Sequence, residues 1–258
     1  MSELHWKQSI TKIEPNKVML RGYPIDELMG EKSYAECVYL ALKGELPSEK
    51  EAKVIDAILV SSIDHGATPP SALAAITSAS TGAPLNAALA TGILSINKYH
   101  GGAIEDAMRT FFHIRELAEE NDYELNEAVA RLLSDYRVEN KRVMGFGHRI
   151  HTDDPRQNKL FILAKDAGIA GHYVEIAELV EAELHNQIGK KLPINVDGAI
   201  AALLCEMGFP PELANAFFIM SRMPGLVAHI YEEQSVHKPM RKIHPTDHDY
   251  IGPDERHL

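Results

Sequence analysis

A chain of 258 residues, 45% hydrophobic and 24% charged, is long enough to bury a substantial core, and its composition is not that of a disordered protein. Its formal net charge of −11 argues against nucleic acid as a partner, because phosphate binding requires a basic surface, whereas a few local arginines suffice for a small anionic substrate. Two cysteines, Cys37 and Cys205, provide neither a disulfide framework nor a cysteine-built metal site, and without a signal peptide we expect a cytoplasmic location.

Helical patterns recur along the chain, and strand signals are sparse. Near the amino terminus, residues 17–21 followed by Gly22, Tyr23 and Pro24 favour one small hairpin. Later segments place apolar residues at helical spacing, and they are residues 51–64, 125–136, 172–188 and 197–207. The predicted fold class is therefore all-α, with no internal repeat and no low-complexity linker.

Residues 71–96 form an apolar stretch that resembles a membrane span in length. Gly82, Pro84 and Asn86 interrupt it, and several serines and threonines dilute it. Its content of alanine, glycine and serine instead predicts two buried helices whose backbones pack closely. We therefore expect no membrane segment here.

Chemically distinctive residues concentrate in four short segments at predicted turns or helix ends. The first two are Asp64–His65, followed by a glycine, and the sequence HGGA that begins at His100. The others are residues 143–149 (VMGFGHR) with the DPR sequence at 154–156, and residues 195–198 (NVDG).

Taken singly, each segment has an ordinary structural explanation. A lone histidine is usually a capped or solvated side chain, Gly145 and Gly147 permit a tight turn, Asp197 serves as an N-cap, and Arg156 lies at the surface. The GxGxxG fingerprint of dinucleotide-binding proteins is not completed after Gly147, which argues against a Rossmann site. That all of these explanations hold together is improbable.

In this order, the four segments resemble the citrate synthase family. Residues 21–48 (RGYPIDELMGEKSYAECVYLALKGELPS) resemble its opening block, and residues 221–225 (SRMPG) resemble its later arginine segment, so the resemblance covers nearly the whole chain. It implies a citrate synthase-like fold and a homodimer. The implied large dimerisation domain comprises residues 1–102 and 205–258, and the small, CoA-binding and catalytic domain comprises residues 103–204.

The departures from typical synthases point to one branch of the family. Only residues 49–63 separate the GELP block from Asp64, so the large helical domain is shortened. Residues 244–250 (HPTDHDY) lack the synthases' arginine-proline-arginine segment. They resemble the end of the citryl-CoA lyase module of ATP-citrate lyase, which shares its compressed front half with stand-alone citryl-CoA lyases. That module typically has an aromatic residue where this chain has His100.

The resemblance assigns catalytic roles to three residues. Asp197 handles the carbon-bound proton of the acetyl group, and His100 hydrogen-bonds the enolate oxygen. His148 serves the oxaloacetate carbonyl or, in cleavage, takes the proton of the citryl hydroxyl. Enolising a thioester requires such a base and such an oxygen donor acting together.

The same resemblance assigns binding roles. Arg156 and Arg222 match the family's oxaloacetate arginines, a residue type that suits planar carboxylates, and His65 matches a further oxaloacetate contact. Contacts to coenzyme A, the adenine cradle and a phosphate, fall on Met144, Gly145, Phe146, Gly147 and Arg149. No metal is implied, because the spacing of His244, Asp247 and His248 matches no standard zinc site.

In many family members an arginine near the carboxyl terminus crosses into the partner subunit's site. Residues 240–258 here offer Arg241, Lys242 and His244. We therefore expect this segment to dock on the partner subunit and Arg241 or His244 to reach the neighbouring active site. The alternative is a frayed, charged terminus.

The sequence leaves more than one function open. The favoured reading is a citryl-CoA lyase that forms acetyl-CoA and oxaloacetate, with a citryl-CoA synthetase as a candidate supplier in a reductive citric acid cycle. The alternatives are a compact citrate synthase, which also hydrolyses the thioester, and a methylcitrate synthase-like enzyme. A non-catalytic subunit that binds CoA or an organic acid is expected to lack Asp197 or His148, and both are present.

Overall fold

The computed structural model of the chain describes residues 6–147 and 154–241. Within those residues, the strands are β1 (Thr11–Glu14), β2 (Lys17–Leu20) and β3 (Tyr23–Pro24). The helices are α1 (Ile25–Leu28), α2 (Tyr34–Lys43), α3 (Glu49–Ser61), α4 (Pro70–Ser80), α5 (Leu85–Leu94), α6 (Ala103–Asn121), α7 (Leu125–Val138), α8 (Pro155–Ala167), α9 (His172–Ile188), α10 (Val196–Glu206) and α11 (Ala214–Val236), with a 3-10 turn at Pro211–Leu213. The predicted all-α class is confirmed.

Capping side chains explain where α2 and α3 begin. Ser33 accepts a hydrogen bond from the Glu36 N–H, and the Glu36 carboxylate accepts one from the Ser33 N–H. Ser48 and Glu51 form the same capping box before α3. The helix predicted at residues 51–64 therefore begins two residues earlier, at Glu49, and it ends at Ser61.

The small sheet is larger than the predicted hairpin. β2 pairs antiparallel with β3 in the predicted position, with Leu20 opposite Tyr23. β1 adds a third antiparallel strand on the other side of β2, with Thr11 opposite Leu20. The sequence did not predict β1, because Ile13 points to solvent and the strand buries no apolar face that would mark it.

The chain divides into two compact units, the first formed by residues 1–63 and 97–222 and the second by residues 64–96 and 223–258. In the first unit, α10 lies against α6, α8 and α9 and is buried along most of its length. The large domain at residues 1–102 and 205–258 and the small domain at residues 103–204 stay a prediction.

The second unit is built on small side chains. Ala72, Ala75 and Ala79 of α4 form its core with residues of α5 and α11. A Cβ atom on Gly92 would lie 2.9 Å from the Ser71 carbonyl oxygen, so the predicted close approach of two helical backbones is confirmed. The prediction that both helices are buried is wrong for α5, which buries only Ala88 and Gly92.

Residues 71–96 fall in two separate helices, of 11 and 10 residues, each shorter than a helical membrane span requires. By length and composition alone, Pro211–Val236 is apolar enough to cross a membrane, with a mean hydropathy of 1.2. Core helices of globular proteins meet the same criterion.

Candidate active site

Asp197 lies in the first turn of α10, and a neighbouring side chain determines its place there. Asn195 Oδ1 accepts hydrogen bonds from the N–H groups of Asp197 (3.0 Å) and Gly198 (3.1 Å). Asn195 is therefore the N-cap, and the explanation of Asp197 as a cap is wrong. The Asp197 carboxylate remains available for chemistry.

The surroundings of the Asp197 carboxyl group favour proton transfer. The residue as a whole is only half-buried, but its Oδ1 atom is cut off from solvent and has no hydrogen-bond partner among the described residues. Desolvation raises the pKa of this carboxyl to about 6, although the positive charges of Arg156 and Arg222 act in the opposite direction. A carboxyl group that titrates near neutrality can both take up and return a proton.

The loop that was predicted to cradle coenzyme A closes onto the start of α10. The N–H of Asn195 donates to the Gly145 carbonyl oxygen (3.0 Å), and Asn195 Nδ2 donates to the Gly147 carbonyl oxygen (2.8 Å). Gly145 has a φ of +89°, and a Cβ atom there would lie 2.8 Å from the Cα atom of Gly198. Both glycines are therefore required for this approach.

The rest of the predicted cradle is ordered around the same contact. Phe146 forms an isolated bridge with Ile194 and packs edge-on against Phe111, with 6.3 Å between the ring centroids. Met144 and Gly147 flank it and are half-buried. Binding of coenzyme A by this loop stays a prediction, and His148 and Arg149 lie outside the described residues.

Arg156 stands in the first turn of α8 and is held by the preceding Asp154, the N-cap of that helix. Asp154 Oδ1 accepts from the backbone N–H (3.0 Å) and Nε (3.0 Å) of Arg156, and Oδ2 accepts from Nη2 (2.8 Å). The side chain of Arg156 is only 22% exposed. It is therefore not the surface arginine of the ordinary explanation.

Arg222 and His100 share one aromatic neighbour. Arg222 is buried, its Nε donates to the Ser62 carbonyl oxygen (2.9 Å), and its Cζ lies 4.8 Å from the ring centroid of Phe218. The His100 ring meets Phe218 edge-on at 5.6 Å. Sequence reasoning missed Phe218, although its position four residues before Arg222 places it on the same helix face.

Burial, and secondarily the charge of Arg222, lower the pKa of His100 below its ordinary value. The imidazole is therefore neutral around pH 7. A neutral imidazole retains one N–H group, which is the donor that an enolate oxygen requires.

Two further predicted contacts lie in the second unit. His65 is in an exposed turn that Asp64 fixes, since the Asp64 carboxylate accepts from the Gly66 N–H (2.9 Å) and pairs with His229 Nε2 (3.0 Å). Arg241 donates to the buried carboxylate of Glu233 in its own chain, with Nε 2.9 Å from both oxygens.

The reach of Arg241 into a partner subunit is not tested and stays a prediction, as does the oxaloacetate contact of His65. His244, together with Asp247 and His248 of the rejected zinc reading, lies outside the described residues. Residues 6–147 and 154–241 contain no group of three histidine, cysteine or acidic side chains placed to hold a metal ion.

A helical fold that surrounds an enclosed carboxyl group, a neutral histidine and two held arginines defines an acid–base site for a small anionic substrate. The family model described as the citrate synthase C-terminal domain matches residues 47–246. The chain is 31% identical over 231 residues to the citrate synthase of Saccharolobus solfataricus and 32% identical over 223 residues to that of Haloferax volcanii. The chain therefore belongs to the citrate synthase family.

These matches cover 86% and 83% of this chain but only 58% and 56% of the two relatives. A solved structure of similar length is that of citryl-CoA lyase from Hydrogenobacter thermophilus, with 43% identity and a TM-score of 0.88 over 98% of this chain and 97% of that one. The citrate synthase of Thermoplasma acidophilum, solved with carboxymethyl coenzyme A and oxaloacetate, has 27% identity and a TM-score of 0.67, covering 59% of its own length. The predicted fold and family are confirmed.

Proposed function

We propose that this chain is a citryl-CoA lyase that cleaves citryl-CoA to acetyl-CoA and oxaloacetate. The observation that carries the proposal is the match to the Hydrogenobacter thermophilus lyase, which runs almost from end to end of both chains. The curated citrate synthases are longer, and this chain spans only a little over half of their length. The shortened front half expected from the sequence belongs to the same proposal.

Cleavage is the reverse of a condensation at the methyl carbon of a thioester. His148 takes the proton of the citryl hydroxyl, the carbon–carbon bond breaks, and its electron pair passes into the thioester to leave oxaloacetate and the enolate of acetyl-CoA. The neutral His100 donates a hydrogen bond to the enolate oxygen. Protonated Asp197 then delivers its proton to carbon, and each of these groups contributes on the order of 10²–10⁴ in rate.

The four-carbon part of the substrate carries two carboxylates, and Arg156 and Arg222 supply the matching charges. Both guanidinium groups are held by hydrogen bonds within the protein, Arg156 by Asp154 and Arg222 by the Ser62 carbonyl. They are therefore oriented before substrate arrives, which reduces the entropy cost of binding. His65, Arg241 and His244 remain proposed further contacts to the same substrate.

Coenzyme A binding by residues 144–147 and Arg149 belongs to the same proposal, with no metal required. We also propose a homodimer, a cytoplasmic location and a citryl-CoA synthetase as supplier of the substrate. The two free cysteines, one of them buried, are consistent with a reducing compartment.

The second candidate is net condensation, by a compact citrate synthase or a methylcitrate synthase-like enzyme. His100 is compatible with both functions. The curated relatives favour this second candidate, and they include the 2-methylcitrate synthase of Shewanella oneidensis at 30% identity over 83% of this chain. This function requires hydrolysis of the citryl thioester as well as bond formation.

Two assays on the purified chain separate these functions. Given citryl-CoA, a lyase releases acetyl-CoA and oxaloacetate in equal amounts. Given acetyl-CoA or propionyl-CoA with oxaloacetate, a synthase accumulates free CoA and the tricarboxylate, whereas a lyase does not. Binding of CoA or oxaloacetate without turnover in either assay would contradict both proposals and indicate a binding subunit.

A further inference from the structure

One buried carboxylate connects two parts of the site that lie 41 residues apart in sequence. Asp154 is 0% exposed. Its Oδ2 atom accepts both from Arg156 Nη2 (2.8 Å) and from the backbone N–H of Val196 (3.2 Å). Val196 is the first residue of α10 and immediately precedes Asp197. A single oxygen atom thus joins the arginine to the helix turn that carries the acid–base carboxyl.

These bonds exceed what a helix cap requires. An N-cap needs to accept only a backbone N–H of its own helix, and Asp154 does so from Arg156. Its other three described hydrogen bonds go to the guanidinium group and to a different helix. Burying an ionised carboxylate is costly unless it is fully hydrogen-bonded. The hydrogen bonds of Asp154 therefore fix the relative positions of the α8 backbone, the Arg156 guanidinium and the first residue of α10.

Asp154 is ionised at neutral pH. Its burial acts to raise the pKa, but hydrogen bonds from Arg156 and Val196 and the charge of Arg156 outweigh that effect, and the pKa lies below its ordinary value. The carboxylate engages the Nε–Nη2 edge of the guanidinium, which fixes the plane of the group. The orientation of Nη1, which Asp154 does not bind, is thereby fixed as well.

We propose that Asp154 is a positioning residue that fixes Arg156 and Asp197 relative to each other, so that a carboxylate bound by Arg156 is aligned with the atom that transfers the proton. This inference rests on the proposed function. It adds a residue that holds the substrate arginine and the acid–base group as one unit. Asn195 fastens the start of α10 to the loop at residues 145–147, and Asp154 fastens it to the arginine.

Two substitutions test the proposal. Asp154→Asn keeps the size of the side chain and one acceptor oxygen but removes the charge, and Asp154→Ser keeps the cap on α8 but is too short to bridge to the guanidinium and to Val196. For both we expect kcat for citryl-CoA cleavage to fall by about 10- to 100-fold, because small displacements of reacting groups have effects of that size. The Kd of oxaloacetate should rise about 10-fold, with the Kd of CoA changed less than about 2-fold.

The matched control is Glu206→Gln. Glu206 lies at the end of α10, and its Oε1 accepts from the N–H groups of Gly171, Tyr173 and Val174 at the start of α9 (2.7 to 3.0 Å). It resembles Asp154 as a carboxylate that fastens another helix start, but it contacts neither arginine nor Asp197 in the described structure. We expect this variant to have a lower Tm and unchanged kcat and oxaloacetate affinity.

The outcomes separate the two levels of inference. If a folded Asp154 variant loses only thermal stability, as Glu206→Gln does, the positioning role is wrong. If Asp154→Asn does not fold, Asp154→Ser gives the same readouts with its cap retained. A wild-type chain that neither cleaves citryl-CoA nor binds oxaloacetate contradicts the proposed function itself, before any variant is measured.

Discussion

Glycine brings two backbones together in each compact unit, but with different surroundings. In the first unit, Gly145 meets Gly198 beside Asp197, and Asn195 holds the contact by donating to the Gly147 carbonyl oxygen and accepting from the Gly198 N–H. In the second unit, Gly92 meets Ser71 and Ala75 within a core of alanines. The same residue type therefore serves a polar junction in one unit and plain van der Waals packing in the other. Flanking polar side chains, and not the glycine, distinguish a site from a core.

The largest expected effect is on the polar junction. Asp197→Asn keeps the shape of the side chain and removes its ability to exchange a proton, so turnover in either direction should fall by about 10²–10⁴. Oxaloacetate affinity, measured by calorimetry, should stay within a few-fold of wild type. A variant that retains most of its activity would exclude Asp197 from the chemistry.

Arg156→Lys and Arg222→Lys test whether these two arginines of the first unit bind the substrate carboxylates. Each loses a planar group that hydrogen bonds hold in place, and the affinity for oxaloacetate should weaken by about 2–5 kcal/mol. The affinity for CoA should be unchanged. Calorimetry showing wild-type oxaloacetate affinity in both variants would remove these residues from the binding site.

Gly198→Ala and Gly92→Ala compare the two close approaches directly. An added methyl group meets the Gly145 carbonyl oxygen in the first case and the Ser71 carbonyl oxygen in the second. We expect each to destabilise the fold by about 1–3 kcal/mol in chemical unfolding. Only Gly198→Ala should also lower kcat, because it displaces the turn that carries Asp197. Equal kinetic effects of both substitutions would remove the distinction.

The pKa of Asp197 predicts how cleavage responds to pH. Cleavage needs the protonated carboxyl, so its kcat/KM should decline as pH rises above about 6. The residual rate of Asp197→Asn should lack this decline, because the amide does not titrate. Rate profiles of wild type and variant check this, and a decline that persists in the variant would assign the titration to another group.

The smallest expected effect is on stability. The folded-state pKa of Asp197 is raised from 3.8 to about 6, so the stability that its protonated form provides is present below pH 4 and is lost as pH rises through 6. Asp197→Asn should therefore be more stable than wild type at pH 7, by at most about 3 kcal/mol, and equal to it at pH 3. Thermal unfolding across this pH range would show whether the difference grows with pH.

Much of the helical architecture was predictable from the sequence. The helix at His172–Ile188 was predicted with its observed bounds, because glycines flank a long apolar stripe. The exposure of α5 was not predictable, because a helix rich in alanine and glycine has no polar face that would mark its solvent-exposed side. Strand β1 was missed for the related reason that it buries little.

The candidate site was predictable as a set of residues but not as an arrangement. Motifs identified His100, Arg156, Asp197 and Arg222. They did not identify the capping role of Asn195, the bridge through Asp154 or the shared contact with Phe218. The bridge from Asp154 to Val196 and the contact of His100 with Phe218 join residues more than 40 positions apart, and local spacing does not encode them. The cap by Asn195 is local, but the sequence offers Asn195 and Asp197 as alternative caps, and only the hydrogen bonds distinguish them.

Side chains hold helix α10 at both ends, Asn195 as its N-cap and Glu206 in its last turn. This has a consequence for how α10 moves. At 1.5 Å per residue its 11 residues span about 16 Å, with Asp197 in the first turn and Glu206 in the last. Glu206 accepts hydrogen bonds from three N–H groups at the start of α9, so we expect α9 and α10 to move together. If Asp197 moves when substrate binds, we expect the movement to reach the amides of Gly171, Tyr173 and Val174. Their hydrogen-exchange rates, compared with and without substrate, would then report a displacement of the Asp197 carboxyl from the far end of α10.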